Sequence, residues 1–119
     1  MKDYDYSLNS FDIAKKLLGD KWKYNIICHL FNGPLYYGEL LSTVDSISKK
    51  VLTENLRELE RLLIITKTNQ KDGNVEKVLY SLTEIGTTLK PVFNNVIEWS
   101  LQYSKIQREN SLEKEEKTY

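Results

Sequence analysis

The apolar positions of this chain keep one period through its first half and then change to another. From Phe11 to Leu63 they recur every three to four residues, the spacing of a helix face. Ile13, Leu17 and Leu18 predict a short helix from about Phe11 to Leu18, turned inward along that side and ended by Gly19. Asp20 is a good N-cap for a second helix, "KWKYNIICHLF", whose inner face is Trp22, Ile26, Ile27 and Leu30. The "NGP" at 32–34 stops it. A third helix covers roughly Tyr37 to Thr43 with Leu40 and Leu41 inward, and Asp45 and Ser46 make a turn. "SISKKVLTENLREL" then opens a fourth helix, from Ser48 to about Leu63.

Beyond Leu63 the pattern is β-rich. "IITKTNQ" and "VEKVLYSL" flank "KDGN", and Asp-Gly between two such runs signals a hairpin, because glycine accepts the positive φ of a tight turn. Thr83 can cap a final helix carrying Ile85, Leu89, Val92, Phe93, Val96, Ile97, Trp99, Leu101 and Tyr103, with Pro91 as a kink or a boundary between two helices. From about Gln107 to Tyr119 the chain is polar and charge-mixed, a stretch expected to fray. Short helices joined by a tight turn and followed at once by a hairpin are the signature of a winged helix-turn-helix. The expected fold is therefore mainly α with a small β-hairpin wing: one domain over 1–106 and a polar tail over 107–119.

The fourth helix has two unlike faces. At 100° per residue from Val51, the residues Val51, Leu52, Leu56, Leu59, Leu62 and Leu63 fall between about 0° and 140°. Lys50, Arg57 and Arg61 lie opposite, near about 240–280°, flanked by Thr53 and Glu54. Ser48 sits at the N-cap, where backbone N–H groups and the helix dipole favour a phosphate. An isolated helix of this kind can equally be an ordinary solvated face, with Glu54 and Glu58 paired to Lys50 and Arg61. A coiled coil fails on length, since the heptad pattern lasts only about two repeats. The helix-turn before it and the lysine-bearing hairpin after it favour a DNA reader. The hairpin tip, Gln70 to Asn74, with Lys67, Lys71 and Lys77 nearby, reads as a wing meeting phosphates or as a plain surface turn.

Composition changes this picture little. The 119 residues suit one compact domain, and 40% hydrophobic with 29% charged residues can bury a core. The formal net charge is zero, but residues 48–71 carry a surplus of three positive charges, and residues 1–12 a surplus of two negative ones. A polyanion is steered by that local field. The apolar runs are too short to cross a bilayer and the N-terminus lacks a signal-peptide stretch, so the expected location is cytoplasmic, with no membrane partner. Cys28 is the single cysteine and His29 the single histidine, which leaves no disulfide, and no zinc site is expected. No acid–base pair, metal cluster or Gly-rich phosphate loop appears, so neither catalysis nor a cofactor is expected.

The stretch from "LLGDKWKYNIICHLF" through "LTENLRELERLLIITKT" and "YSLTEIG" resembles the HxlR-type winged-helix transcriptional regulators, relatives of the MarR-like regulators of bacteria and archaea. The matching elements are G-x-K-W at 19–22, GP…Y-x-E-L at 33–40, IS-x-K-x-LT-x-x-L-R-E-L at 47–59 and Y-S-L-T-x-x-G at 80–86, and they span about residues 8–103. The resemblance implies a homodimer on a pseudo-palindromic operator in double-stranded DNA, with the helix over about 48–63 in the major groove and the wing over about 64–82 on flanking DNA. By the same resemblance the DNA contacts are Ser48, Lys49, Lys50, Thr53 and Arg57, with Lys67, Lys71 and Asn74 around the wing and Tyr36 and Tyr37 toward phosphate. Many members have a cysteine about ten residues before the first glycine of G-x-K-W. Here Asn9 and Ser10 stand in that region, which removes thiol sensing at that position, and Cys28 reads as a small packing residue.

The final helix argues for a dimer independently. Its apolar residues spread over roughly 200°, whereas one core needs a stripe of somewhat over 100°. The resemblance implies an interface formed by the first and last helices, and Phe11, Leu89, Val92, Phe93, Val96, Trp99 and Tyr103 are the expected residues. The alternative is a monomer in which the N-terminal helix covers the excess. A small-molecule effector between the dimer helices, lined by Trp22, Trp99 and Tyr103, stands against a reading of these aromatics as plain core. The competing function is a winged-helix protein-interaction module without DNA specificity.

Overall fold

The computed structural model describes residues 3, 4 and 6–117. The elements run α1 (Leu8–Leu18), α2 (Lys21–Leu30), β1 (Leu35–Tyr36), α3 (Tyr37–Thr43), α4 (Lys49–Arg61), β2 (Ile65–Asp72), β3 (Val75–Leu82), α5 (Glu84–Thr87) and α6 (Leu89–Lys117). The chain divides into two compact units, Met1–Thr87 and Thr88–Tyr119. No helix among the described residues is long and apolar enough to cross a membrane.

In the first unit the core is built from Leu17, Ile26, Ile27, Leu30, Leu40, Val44, Leu52, Leu56, Leu59, Ile64 and Ile65, all buried. α1 starts earlier than its apolar pattern suggested, because Ser7 caps it by accepting from the Ser10 N–H. It buries Leu17 alone; Ile13 and Leu18, expected inward, are exposed. The Asp20 carboxylate caps α2, accepting from the Trp22 and Lys23 N–H groups at 2.9 and 3.3 Å. On α3, the Glu39 carboxylate accepts from the Tyr36 N–H at 3.0 Å.

Ser46 makes the turn between α3 and α4 with a φ of 61°, and Ser48 caps α4 by accepting from the Val51 N–H at 3.1 Å. α4 closes with Leu63 in the left-handed region, φ 62°. The Leu63 N–H donates to the Glu60 carbonyl at 3.0 Å and the Ile64 N–H to the Leu59 carbonyl at 3.0 Å, the paired bonds of a Schellman close. The wing strand β2 begins two residues on, at Ile65.

The sheet has three antiparallel strands in the order β1-β3-β2. β1 was not anticipated: it pairs Leu35 with Tyr80 and Tyr36 with Leu79, and two residues after a proline carry no periodicity. The hairpin pairs Ile65 with Leu82 through to Asp72 with Val75, leaving Gly73 and Asn74 as the loop, with Gly73 at φ 65°. Only Ile65 of β2 is buried and β3 keeps Tyr80 in the core, whereas Thr66 to Lys77 are exposed and project as a wing.

Thr83 caps the single turn α5, and the expected kink or boundary at Pro91 is instead a break before Leu89. The Thr83 hydroxyl donates toward the Leu63 and Ile64 carbonyls at 2.6 and 3.0 Å and accepts from the Gly86 N–H at 3.1 Å. A Cβ at Gly86 would overlap the Ile64 carbonyl oxygen, which gives the T-x-x-G spacing its physical reason. In the second unit, α6 starts at Leu89, so Pro91 lies in its first turn, where its missing N–H costs nothing. The helix continues through the polar stretch from Gln107 to Lys117 instead of fraying there; Glu, Lys, Arg and Leu are good helix formers without any core to pack on.

Candidate nucleic-acid interface

α4 presents its leucines to the core and its cations to solvent. Leu52, Leu56 and Leu59 are at most 1% exposed, whereas Ser48, Lys49, Lys50, Arg57 and Arg61 are exposed and Thr53 is half-buried. Of the two expected partners of Lys50 and Arg61, Glu54 is exposed and makes no ion pair among the described residues, and Glu58 is engaged elsewhere. Glu58 turns inward to Lys23, at 3.1 Å, and Glu60 reaches the Lys67 ammonium at 4.0 Å. No ion pair of Lys49, Lys50 or Arg57 occurs among the described residues. The outer face is thus more positive than residue counting suggested, and Lys67 less so. Lys71 and Asn74 stand exposed at the wing tip.

Two adjacent tyrosines join helix and wing. The Tyr36 hydroxyl donates to Gln70 Oε1 on β2 at 2.7 Å, and the Lys77 ammonium lies 5.4 Å over its ring. The Tyr37 hydroxyl lies 3.0 Å from Thr53 Oγ1 and donates to the Lys49 carbonyl at 3.3 Å, both on α4. Both rings line a groove of about 790 Å³ with Gly38, Glu39, Glu76, Lys77 and Val78. Sequence reading assigned both tyrosines to phosphate. The structure gives each hydroxyl a protein partner, and gives Thr53 one as well.

Lys23 was missed altogether. It is only 5% exposed, and its ammonium donates to Asp20 Oδ2 at 3.0 Å, Asn55 Oδ1 at 3.0 Å and Glu58 Oε2 at 3.1 Å. Burial works to lower its pKa, but the hydrogen bonds and charges of Asp20 and Glu58 outweigh that and hold it above the ordinary value. Asp20 is the counterpart: burial raises it, and the Lys23 ammonium with the Lys23 and Trp22 N–H groups carries it below its ordinary value. Two signals were legible. Lys23, Ile26, Ile27 and Leu30 share one helix face, and Asn55 falls at about 40° inside the apolar arc of α4.

The remaining chemistry is sparse. Burial pushes the Cys28 thiol up despite its hydrogen bond with Tyr24, so less thiolate is present than in an exposed cysteine. Trp22 has the Lys21 ammonium 4.5 Å over its ring, and Trp99 stacks on Tyr103 along α6 at 5.3 Å.

Comparison with known proteins agrees with this geometry. A family model described as HxlR-like helix-turn-helix matches residues 17–108. The HTH-type transcriptional regulator YodB of Bacillus subtilis (strain 168) is 40% identical over 90 residues, covering 76% of this chain and 80% of that protein. The uncharacterised HTH-type transcriptional regulator YkvN of the same organism is 35% identical over 97 residues, 80% of each chain. The reduced form of YodB superposes with a TM-score of 0.72 at 37% identity, over 79% of this chain and 91% of that one. These relatives are transcriptional regulators, not enzymes.

Proposed function

The chain belongs to the HxlR-like helix-turn-helix family of DNA-binding transcriptional regulators, and we propose that it acts in the cytoplasm as a homodimer on a pseudo-palindromic operator. α4 enters the major groove, where Ser48, Lys49, Lys50, Thr53 and Arg57 meet the DNA, and the wing brings Lys67, Lys71 and Asn74 to the flanking minor groove or backbone. The observation that carries this reading is the unpaired basic face of α4 standing beside a wing that leaves the core at Ile65. Tyr36 and Tyr37 tie to the two prongs through their hydroxyls, to Gln70 on β2 and to Thr53 and Lys49 on α4, and stand beside the phosphates.

The second copy is supported by α6. Val92, Val96, Trp99 and Tyr103 recur at coiled-coil spacing and are 43, 38, 64 and 49% exposed, and Phe11 on α1 is 59% exposed. Leu89 is half-buried. Phe93, in contrast, is already buried in the single chain and offers little surface to a partner. Residues 1–106 then serve as the DNA-binding and dimerising domain, with 107–119 as its polar extension. Thiol sensing at the N-terminal position is not open to this regulator, because Asn9 and Ser10 stand where many members carry a cysteine.

The test is capture of genomic fragments on the purified protein at moderate salt, followed by sequencing and footprinting. A repeated inverted motif, protected on one face of the duplex, is expected. Absence of any enriched site, with a partner protein co-purifying, would favour the protein-interaction reading.

A further inference from the structure

We propose that Lys23 is a positioning residue that sets the roll of α4 about its own axis, and so selects which side chains meet the base edges. This rests on the reading of α4 as the DNA-reading helix. Leu52, Leu56 and Leu59 glue α4 to the core, but apolar contact is non-directional and tolerates sliding and rolling. Hydrogen bonds do not. An ammonium has three donors, and Lys23 places all three on oxygen: Asp20 Oδ2 and Asn55 Oδ1 at 3.0 Å and Glu58 Oε2 at 3.1 Å. Two of the three acceptors are fixed in turn. Asp20 is held by the Trp22 and Lys23 N–H groups at the start of α2, and the Asn55 amide donates to the Val51 carbonyl at 2.8 Å. Asn55 and Glu58 are one turn apart on α4, so the ammonium grips that helix at two points from a buried site on α2.

The leverage is geometric. A roll of about 20° moves an atom roughly 6 Å from the helix axis by about 2 Å, more than a base hydrogen bond tolerates. Phosphate attraction to Lys49, Lys50 and Arg57 survives such a roll, because it depends on charge more than on alignment. Loss of Lys23 is therefore expected to lower selectivity and to spare non-specific binding.

The experiment compares full-length wild type with Lys23→Met and Asn55→Leu, by fluorescence anisotropy on the captured operator duplex and on a scrambled duplex of equal length at fixed salt. Thermal melts establish that each variant is folded at the assay temperature. The expected result is a fall of about tenfold in the operator-to-scrambled affinity ratio, the size of one lost base contact, with scrambled binding within about twofold of wild type. A purely structural lysine would lower the melting temperature and leave that ratio alone. A folded variant whose ratio stays within about twofold of wild type overturns the assignment. Asn55→Leu decides the matter if Lys23→Met does not fold, since leucine suits both the helix and the buried site. A wild-type protein with no preference between the duplexes removes the DNA reading itself, and this assignment with it.

Discussion

Replacing Gly86 by alanine is expected to destabilise the protein by about 2 kcal/mol, although alanine is the better helix former. Gly86 is buried at the end of a single helical turn, and an added Cβ would overlap the Ile64 carbonyl oxygen while also meeting the Ile64 carbonyl carbon and Leu82 Cδ2 at 3.3 Å. The obstruction is backbone, so α5 has to lift. Three hydrogen-bond contacts resist: the Thr83 N–H to the Ile64 carbonyl at 2.9 Å, and the Thr83 hydroxyl toward the Leu63 carbonyl at 2.6 Å and the Ile64 carbonyl at 3.0 Å. At about 1 kcal/mol each they are worth about 3 kcal/mol, and helix propensity returns up to about 1 kcal/mol. The melting temperature should fall by roughly 8 °C. Thermal and urea melts followed by circular dichroism measure this, at one protomer concentration because a dimer's stability depends on it. If lifting α5 is the cause, Gly86→Ala should cost less on a Thr83→Val background, where two of those bonds are already gone. Stability equal to or above wild type in Gly86→Ala would show that α5 is not clamped on Ile64.

Arg57→Ala should reduce operator selectivity more than Lys71→Ala does, since base contacts specify and phosphate contacts position; equal loss of specific and non-specific binding in both variants would remove Arg57 from the base-reading set. Operator affinity should fall steeply between low and moderate salt, by about one power of salt concentration per phosphate contact, and a flat titration would contradict phosphate engagement. Trp99→Glu should shift the protein from dimer to monomer in light scattering after size exclusion and weaken operator binding more than half-site binding; an unchanged mass would exclude this part of α6 from the interface. Asp20 is held below its ordinary value of 3.8, so its ionised form adds stability above that pH that is lost as the pH falls through the lowered folded value. Asp20→Asn keeps the N-cap and should flatten the acid limb of the stability profile below about pH 4, whereas an unchanged slope of urea midpoint against pH would mean that another carboxylate dominates there.

The elements that were legible in the sequence are those whose signal is local. Asp20, Ser48 and the Asp72-Gly73 pair each mark a boundary by their own chemistry, and all three do so in the structure. β1 escaped because its two residues gain their bonds from β3, far along the chain. Ile13 and Leu18 misled because amphipathic spacing shows that a face is apolar and says nothing of whether anything covers it. The candidate interface divides in the same way. Lys50, Arg57 and Arg61 of α4 are legible from periodicity and Lys49 from the family resemblance, whereas the Tyr36–Gln70 and Tyr37–Thr53 bonds depend on the fold. Lys23 was passed over because a lysine between two aromatics reads as solvated until three acceptors surround it.

The close of α4 at Leu63 leaves Ile64 as the one residue between Leu63 and the wing strand. Such a joint has little slack, so in the proposed binding mode a prong in the major groove and a prong on the flanking backbone would stand at a set pitch. A reader built this way cannot stretch to follow an operator whose grooves are spaced differently. In that proposed mode the duplex would bend instead, at on the order of 1–6 kcal/mol for a turn of 40–90°. Operator strength then depends on how readily the steps between the two prongs deform, at base pairs that no side chain touches.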